Sequence, residues 1–289
     1  MMKSKRMMLL VVMTLCLHVS VKAQWGNNYY FTQNQLPNLI NILPAPPEAT
    51  SEMMAHDIMR YYWGKEQRLD EERTATARRQ AVLTFDAMYN EFSEPFGMTI
   101  SSSNTPQLCI LLEKALPTAD QICNNIKSHY SRRRPFDLLN EKLLTDGKEE
   151  SASSLKKNGS YPSGHTNRGW VCALILAEVN PDNAEAIFSC GYAYGESRVI
   201  VGAHWQSDVE AGRLAGSIAY SRLQTSPAFR EQMEKAKEEF KQKTQPTNVG
   251  AVSESSSSAS DRTYSVNGMA TTDQSRGVVI RNNQKVISK

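Results

Sequence analysis

Residues 159–179 read GSYPSGHTNRGWVCALILAEV, and this stretch decides the fold. Its second half, His165 to Val179, is an apolar helical run, and the glycines and serines ahead of it form the mouth of a helix. Working outward, the neighbouring segments repeat the helical pattern. Ser51 to Arg68, Thr76 to Phe92, Thr105 to Leu116 and Thr118 to Tyr130 carry apolar residues three and four apart. Pro181 to Tyr194, Trp205 to Leu223 and Ser226 to Gln242 do the same, the last with Ser226 as cap and Pro227 at the first helical position. Pro117, Glu94-Pro95-Phe96-Gly97 and Asn180-Pro181-Asp182 are the predicted breaks. Strand signals are nearly absent here. The expected fold is therefore all-α, a compact helical bundle over residues 24–243.

The chain has 289 residues, 40% hydrophobic and 22% charged, which fits one domain with a sizeable core plus appendages. Fibrous and wholly disordered classes are excluded. A net charge of +3 is too balanced for the basic footprint of a nucleic-acid binder, so no nucleic-acid module is expected.

The two ends read differently from the middle. Met1 to Arg6 is a positive start, Met7 to Val21 an apolar stretch, and Val21-Lys22-Ala23 a small-residue exit, so residues 1–23 are predicted to be a signal peptide and the protein to be exported. No later segment has the apolar length to span a membrane. Export brings Cys109, Cys123, Cys172 and Cys190 to an oxidising compartment, where both disulfides and buried free thiols are open readings. Residues 244–261, with the run Ser255-Ser256-Ser257-Ser258, read as a flexible linker. In residues 262–289 the period shifts to short strands, Thr263 to Val266, Gly277 to Ile280 and Val286-Ile287, around Asn267-Gly268 and Asn282-Asn283.

Chemistry concentrates between Lys127 and Asp208 in three elements. First, Lys127 precedes Arg134-Pro135 by six intervening residues, a spacing able to set an ammonium and a guanidinium around one anion. Arg132 and Arg133, in the same spacer, are assigned to a solvated face. Second, Ser163, Gly164 and His165 stand at the helix mouth, where backbone N–H groups and the helix dipole favour an oxyanion and the imidazole is placed to exchange a proton. Third, Ser197-Arg198 is followed after five residues by His204 and after three more by Asp208. On one helical turn the four-residue offset would face Asp208 toward His204, fixing one ring nitrogen and leaving the other as a lone pair. Each element alone has a plainer reading: solvated cations, a serine cap, a His–Asp pair that stabilises a helix. Together they describe one phosphate-sized anion site with a nucleophile and a proton donor. No metal-ligand cluster accompanies them, and no cofactor is expected.

The ordered pattern Lys-x6-Arg-Pro, Pro-Ser-Gly-His, Ser-Arg-x5-His-x3-Asp resembles the signature of the type 2 phosphatidic acid phosphatase superfamily, whose fold is shared with vanadium haloperoxidases. Gly159 to Thr166 is similar at every position to the fingerprint of the bacterial class A non-specific acid phosphatases, and the likeness extends over about Ala49 to Phe240. The resemblance implies a metal-independent acid phosphatase acting on small phosphate monoesters through a phosphohistidine, with phosphotransferase activity to alcohols as an extension. It implies His204 as nucleophile, Asp208 as the residue orienting it and His165 as the acid for the leaving group. Lys127, Arg134, Ser163, Gly164 and Arg198 would bind the phosphoryl oxygens. A homo-oligomer is expected on the same ground.

Two alternatives use the same cradle: a vanadium-dependent haloperoxidase and a lipid phosphate phosphatase. The tail ending Gly277-Val278-Val279-Ile280 to Lys285-Val286-Ile287-Ser288-Lys289 resembles the C-terminal sorting domains of type IX secretion cargo. Such a signal implies secretion or display at the cell surface; without it the expected place is the periplasm.

Overall fold

The structure is a computed structural model that describes residues 28–145, 147 and 150–245, and the backbone of four short strands beyond them. Among the described residues eleven α-helices follow in chain order. These are α1 (Glu52–Gln67), α2 (Glu71–Arg79), α3 (Phe85–Phe96), α4 (Pro106–Asp120), α5 (Asn124–Tyr130) and α6 (Pro135–Leu138). After them come α7 (Ala152–Lys156), α8 (Gly164–Val179), α9 (Ala184–Ile200), α10 (Gln206–Leu223) and α11 (Pro227–Thr244).

The apolar run that opens the sequence reading is the central helix. Val171, Cys172, Ile175 and Leu176 of α8 are buried against Leu112 and Leu116 of α4, Ile187 and Tyr194 of α9, and Ala215 of α10. A helix apolar on every side is stable only when surrounded, and each fully buried Leu or Ile contributes about 1.5–3 kcal/mol. Small residues set how closely its partners approach. A Cβ added at Gly212 of α10 would sit 2.7 Å from the Ser163 carbonyl oxygen, so only glycine lets α10 cross the mouth of α8 at this depth. The four cysteines Cys109, Cys123, Cys172 and Cys190 are free.

Local signals explain most boundaries. Ser51, Asp70, Thr84 and Ser226 accept from the backbone N–H three residues on and so start α1, α2, α3 and α11. The expected helix from Thr76 to Phe92 is in fact two. Arg79 ends α2, and Thr84 caps α3. The non-helical residues between them turn two carbonyls inward, Ala81 toward His165 and Leu83 toward Arg168. Pro117 does not break the chain. It is buried within the last turn of α4, which continues to Asp120 with one intrahelical donor fewer, and the Thr118 hydroxyl donates to the Lys114 carbonyl at 2.7 Å. The break falls instead at the 3-10 turn Gln121–Cys123. Helix α9 runs past Tyr194 to Ile200, which carries Arg198 into its last turn.

Residues 246–289 form a separate compact unit. By itself it holds a four-stranded antiparallel sheet, β1 (Thr263–Ser265), β2 (Ala270–Thr271), β3 (Gly277–Arg281) and β4 (Gln284–Ser288), in the order β2-β1-β3-β4. In the β3–β4 hairpin, Val279 pairs with Val286 and Arg281 with Gln284. The sequence pattern gave three of these strands and missed β2, which is only two residues long. The predicted signal peptide and, apart from its first two residues, the linker lie outside the described residues. Among the described residues no helix is long and apolar enough to cross a membrane.

Candidate active site

The site forms where α5, the loop after it, the mouth of α8, the end of α9 and the start of α10 meet. Lys127 comes from α5 and is buried, its ammonium donating to the Gly159 carbonyl at 2.8 Å. Arg134, the cap of α6, is held by backbone oxygens: Nε donates to Leu155 and Asn158, and Nη1 to Ala203. The same Nη1 lies 2.8 Å from His204 Nε2. A guanidinium only donates, so this contact requires a lone pair on Nε2 and puts the imidazole proton on Nδ1.

His204 and Asp208 do not share a helical turn. His204 precedes the helix, Trp205 is its cap, and Asp208 Oδ2 accepts the Trp205 N–H at 2.9 Å. That cap folds the chain so that His204 Nδ1 lies 3.4 Å from Asp208 Oδ2. Ser160 stands beside both, its hydroxyl donating to Asp208 Oδ2 at 2.5 Å and lying 3.3 Å from His204 Nδ1. The five-residue spacing from Arg198 to His204 also acquires a cause. The chain doubles back after α9, and the Ala203 and His204 N–H groups both return to the Arg198 carbonyl, at 3.0 and 3.2 Å.

Behind Asp208 lies a residue that the sequence reading misassigned. Arg132 is not on a solvated face. Its side chain is 9% exposed and bridges two buried carboxylates, Asp208 Oδ1 at 2.6 Å and Asp57 Oδ2 at 2.8 Å. Asp57 also accepts from the Ser207 N–H and hydroxyl, anchoring the first turn of α10 to α1. A signal existed in the sequence: Asp57 falls on the same stripe of α1 as Met54, Tyr61 and Gly64, the face that is buried. A lone acid on an apolar stripe needs a buried cation, and Arg132 supplies it. Arg133 does match its assignment, 60% exposed and paired with Asp137.

His165 stands on the first turn of α8, with Nε2 3.1 Å from the Ala81 carbonyl and 3.5 Å from Glu150 Oε1. Gly164 faces the Lys127 chain, where an added Cβ would lie 3.9 Å from Cε. Lys127, Arg134, Gly164, His165 and His204 line one cavity of about 220 Å³. Arg198 is fully buried and bonded through Nη2 to Glu150 Oε2 at 2.5 Å. Ser163 is set back: its hydroxyl caps α8, accepting from the Thr166 N–H and hydroxyl, and its own N–H bonds the Asp208 carbonyl. His129 and the exposed His56 lie apart from the cavity.

So many cations in one enclosure resist charge. Burial, then Arg134, lowers Lys127 to about 7, and burial, then Arg198, lowers Arg134 to about 10. Burial, reinforced by Arg134, Lys127 and Arg198, pushes His204 well below the usual histidine range. Burial and Arg198 bring His165 to about 3, with Glu150 opposing them. The enclosure is thus built to receive negative charge beside a neutral imidazole whose Nε2 lone pair faces the cations. Among the described residues no group of three or more His, Cys, Asp or Glu is placed to hold a metal ion.

Comparison with known proteins gives this geometry its family. Residues 108–225, which span every one of these elements from α4 to α10, match the model of the PAP2 superfamily. The chain is 39% identical over 213 residues to a non-specific acid phosphatase of Providencia stuartii, covering 73% of this chain and 84% of the relative. It is 37% identical to a non-specific acid phosphatase of Salmonella typhimurium, covering 70% and 79%. An acid phosphatase of Zymomonas mobilis is 34% identical, covering 76% and 80%. The helical chain with its cationic enclosure therefore belongs to the PAP2 superfamily, among the bacterial class A non-specific acid phosphatases, a family of phosphoric monoester hydrolases.

Proposed function

We propose that this acid phosphatase hydrolyses small phosphate monoesters through a phosphohistidine on His204. The observation that carries the reading is the 2.8 Å approach of His204 Nε2 to Arg134, inside a cavity also lined by Lys127 and His165. Nε2 attacks phosphorus in line, the N–P bond forms, and the P–O bond to the leaving group breaks. Arg134, Lys127 and Arg198 take the charge spread over the equatorial oxygens, with backbone N–H groups at the mouth of α8 as further donors around Ser163 and Gly164. His165 protonates the departing oxygen; it then accepts a proton from the water that attacks phosphorus and breaks the N–P bond. Asp208, held by Ser160 and Arg132, keeps the His204 proton on Nδ1 and offsets the charge that develops on the ring.

This scheme assigns charge stabilisation to three fixed cations and proceeds without a metal ion. A phosphoenzyme open to water is open to any well-placed hydroxyl, so phosphoryl transfer to alcohols accompanies hydrolysis. A cavity of this volume suits the phosphoryl group and the first atoms of its ester, consistent with a small, loosely specified leaving group. The expected signal peptide in residues 1–23 supports a further part of this proposal, that the enzyme acts after export.

The test is turnover of p-nitrophenyl phosphate by purified protein in EDTA, with alkaline-quench trapping of the phosphoenzyme. The wild type is expected to turn over, to be inhibited by vanadate and to yield an acid-labile, base-stable phosphoprotein. His204→Ala should lose at least about 10⁴-fold in kcat, the scale seen when a covalent nucleophile is removed. Wild-type activity in His204→Ala ends the phosphohistidine reading. Bromide oxidation with vanadate and peroxide exceeding phosphatase turnover ends the phosphatase reading.

A further inference from the structure

Glu150, in the connection between α6 and α7, has no part in the scheme above, yet its carboxylate stands where the cations converge. Oε2 accepts from Arg198 Nη2 at 2.5 Å, and Oε1 is 3.5 Å from His165 Nε2. The side chain is 9% exposed. Burial alone would favour its neutral form, but Arg198 and His165 pull its pKa down to about 2, so it is an anion at every working pH.

Two further observations show that this pairing does not complete the site. The fully buried Arg198 keeps two donors, Nε and Nη1, without a hydrogen-bond partner among the described residues. Buried guanidinium donors are seldom left open, and a ligand with more oxygens than one carboxylate can present would fill them. The second concerns how Glu150 is held. Gly147, at φ +79°, donates to the Glu150 carbonyl at 2.9 Å, and the Glu150 N–H reaches the Thr145 carbonyl at 3.4 Å. Five residues on, the Leu155 carbonyl accepts from Arg134 Nε. The segment thus touches one arginine through a side chain and the other through its backbone. The root is fixed by Leu143 in the core and by the Leu144 N–H on the Val201 carbonyl, while the carboxylate is held mainly by its ion pairs.

We propose that Glu150 is an internal competitor for the phosphoryl seat: its carboxylate occupies Arg198 and faces His165, and a substrate phosphoryl group displaces it on binding. The inference rests on the phosphate-site reading of the previous subsection. Exchange of one anion for another keeps Arg198 paired before and after binding. A tethered anion also raises the threshold for ligands, so a weakly charged anion does not dislodge it while a phosphate dianion, able to use all three Arg198 nitrogens, does. Glu150 therefore sets KM and the affinity for phosphate and leaves the chemical step to the residues already named.

The test compares the full chain with Glu150→Gln, Glu150→Asp and Arg198→Ala, reading inorganic phosphate binding by calorimetry and KM and kcat with p-nitrophenyl phosphate. Glu150→Gln, isosteric and uncharged, is expected to bind phosphate about tenfold tighter and to lower KM by a similar factor with no fall in kcat, the scale of one charge-assisted hydrogen bond. Glu150→Asp keeps the charge but withdraws it from Arg198 by a methylene, and is expected to tighten binding as well. Unchanged or weaker phosphate binding in Glu150→Gln overturns the proposal. So does tightening in Gln with wild-type behaviour in Asp, because the effect would then be general charge and not this contact. If a variant unfolds alone, its melting temperature is read against phosphate concentration, and a phosphate-induced rise no larger than that of the wild type counts against it. Arg198→Ala separates the two readings: loss of phosphate binding there upholds the seat whatever Glu150 does, and unchanged binding brings down the seat itself.

Discussion

The two nitrogens of His204 face opposite kinds of protein. On the Nε2 side stand Lys127, Arg134 and Arg198, an excess of positive charge whose partners are backbone carbonyls and the single carboxylate of Glu150. On the Nδ1 side stand Ser160, Asp208, Arg132, Ser207 and Asp57, where each carboxylate oxygen has a donor and one guanidinium is shared by two carboxylates. The first arrangement can exchange one anion for another because Arg198 keeps Nε and Nη1 without a partner beside its one carboxylate. The second can exchange nothing: removing one member leaves a buried charge unpaired. An imidazole held between them has its tautomer fixed from behind and its lone pair exposed to chemistry in front.

The sharpest way to break that contrast is Asp208→Asn. The amide conserves shape but removes the charge behind the ring and offers N–H groups to Ser160 and Trp205 where they need an acceptor. The expected result is a fall in kcat of about 10³- to 10⁴-fold, the range found when an orienting carboxylate is lost, with KM for p-nitrophenyl phosphate changed far less. A comparable rise in KM with kcat retained would place Asp208 on the binding side instead.

Arg132→Met tests whether the rear network extends past Asp208. It leaves Asp57 and Asp208 both buried without their cation, and breaking such a pair costs about 3–5 kcal/mol of stability. Since Asp208 loses its anchor but keeps Ser160 and the Trp205 N–H, kcat should fall about tenfold, with partial rescue by Arg132→Lys and a shifted pH profile. Arg133→Ala, one residue away but 60% exposed, should change neither stability nor turnover measurably. Equal effects of the two substitutions would mean that the difference in burial has no consequence.

How much of this was legible follows the same division. The front of the site was readable because its chemistry is local in sequence: a Lys and an Arg at a fixed offset, a Gly- and Ser-rich mouth before an apolar helix, a His four residues from an Asp. The back was not, because each link crosses the fold: Asp57 and Arg132 lie 75 residues apart, as do Arg132 and Ser207. A run of three arginines looks uniform until a distant acid selects one of them. The helical class was equally plain from the periodicity, but the break between α2 and α3 was not. Thr84 is a modest cap inside an otherwise helical pattern, and the turn is held open by His165 and Arg168, which bond the carbonyls it exposes. Ser163 shows the converse, a motif residue whose hydroxyl serves the helix.

The smallest expected effect is a matter of a few degrees, and its sign separates front from back. Folding lowers Lys127 to about 7 and His165 to about 3, so the unfolded chain binds protons that the folded one refuses. Stability therefore declines as pH falls, from about 10.5 toward 7 through Lys127 and from about 6.5 toward 3 through His165. A phosphate bound at the front reverses the cause, because its negative charge favours the protonated form of both groups. Binding then carries proton uptake, and the uptake is greatest above pH 7, where Lys127 is otherwise neutral. Inorganic sulfate, a tetrahedral dianion at both pH values, should accordingly raise the melting temperature more at pH 6 than at pH 9, by about 2–4 °C for each kcal/mol of added stabilisation. A rear-side network that does not meet the bound anion adds nothing to this difference, so Arg132→Lys should leave the pH 6 to pH 9 contrast intact while Lys127→Met removes most of it. A sulfate-induced rise that is equal at the two pH values would show that the anion meets neither Lys127 nor His165.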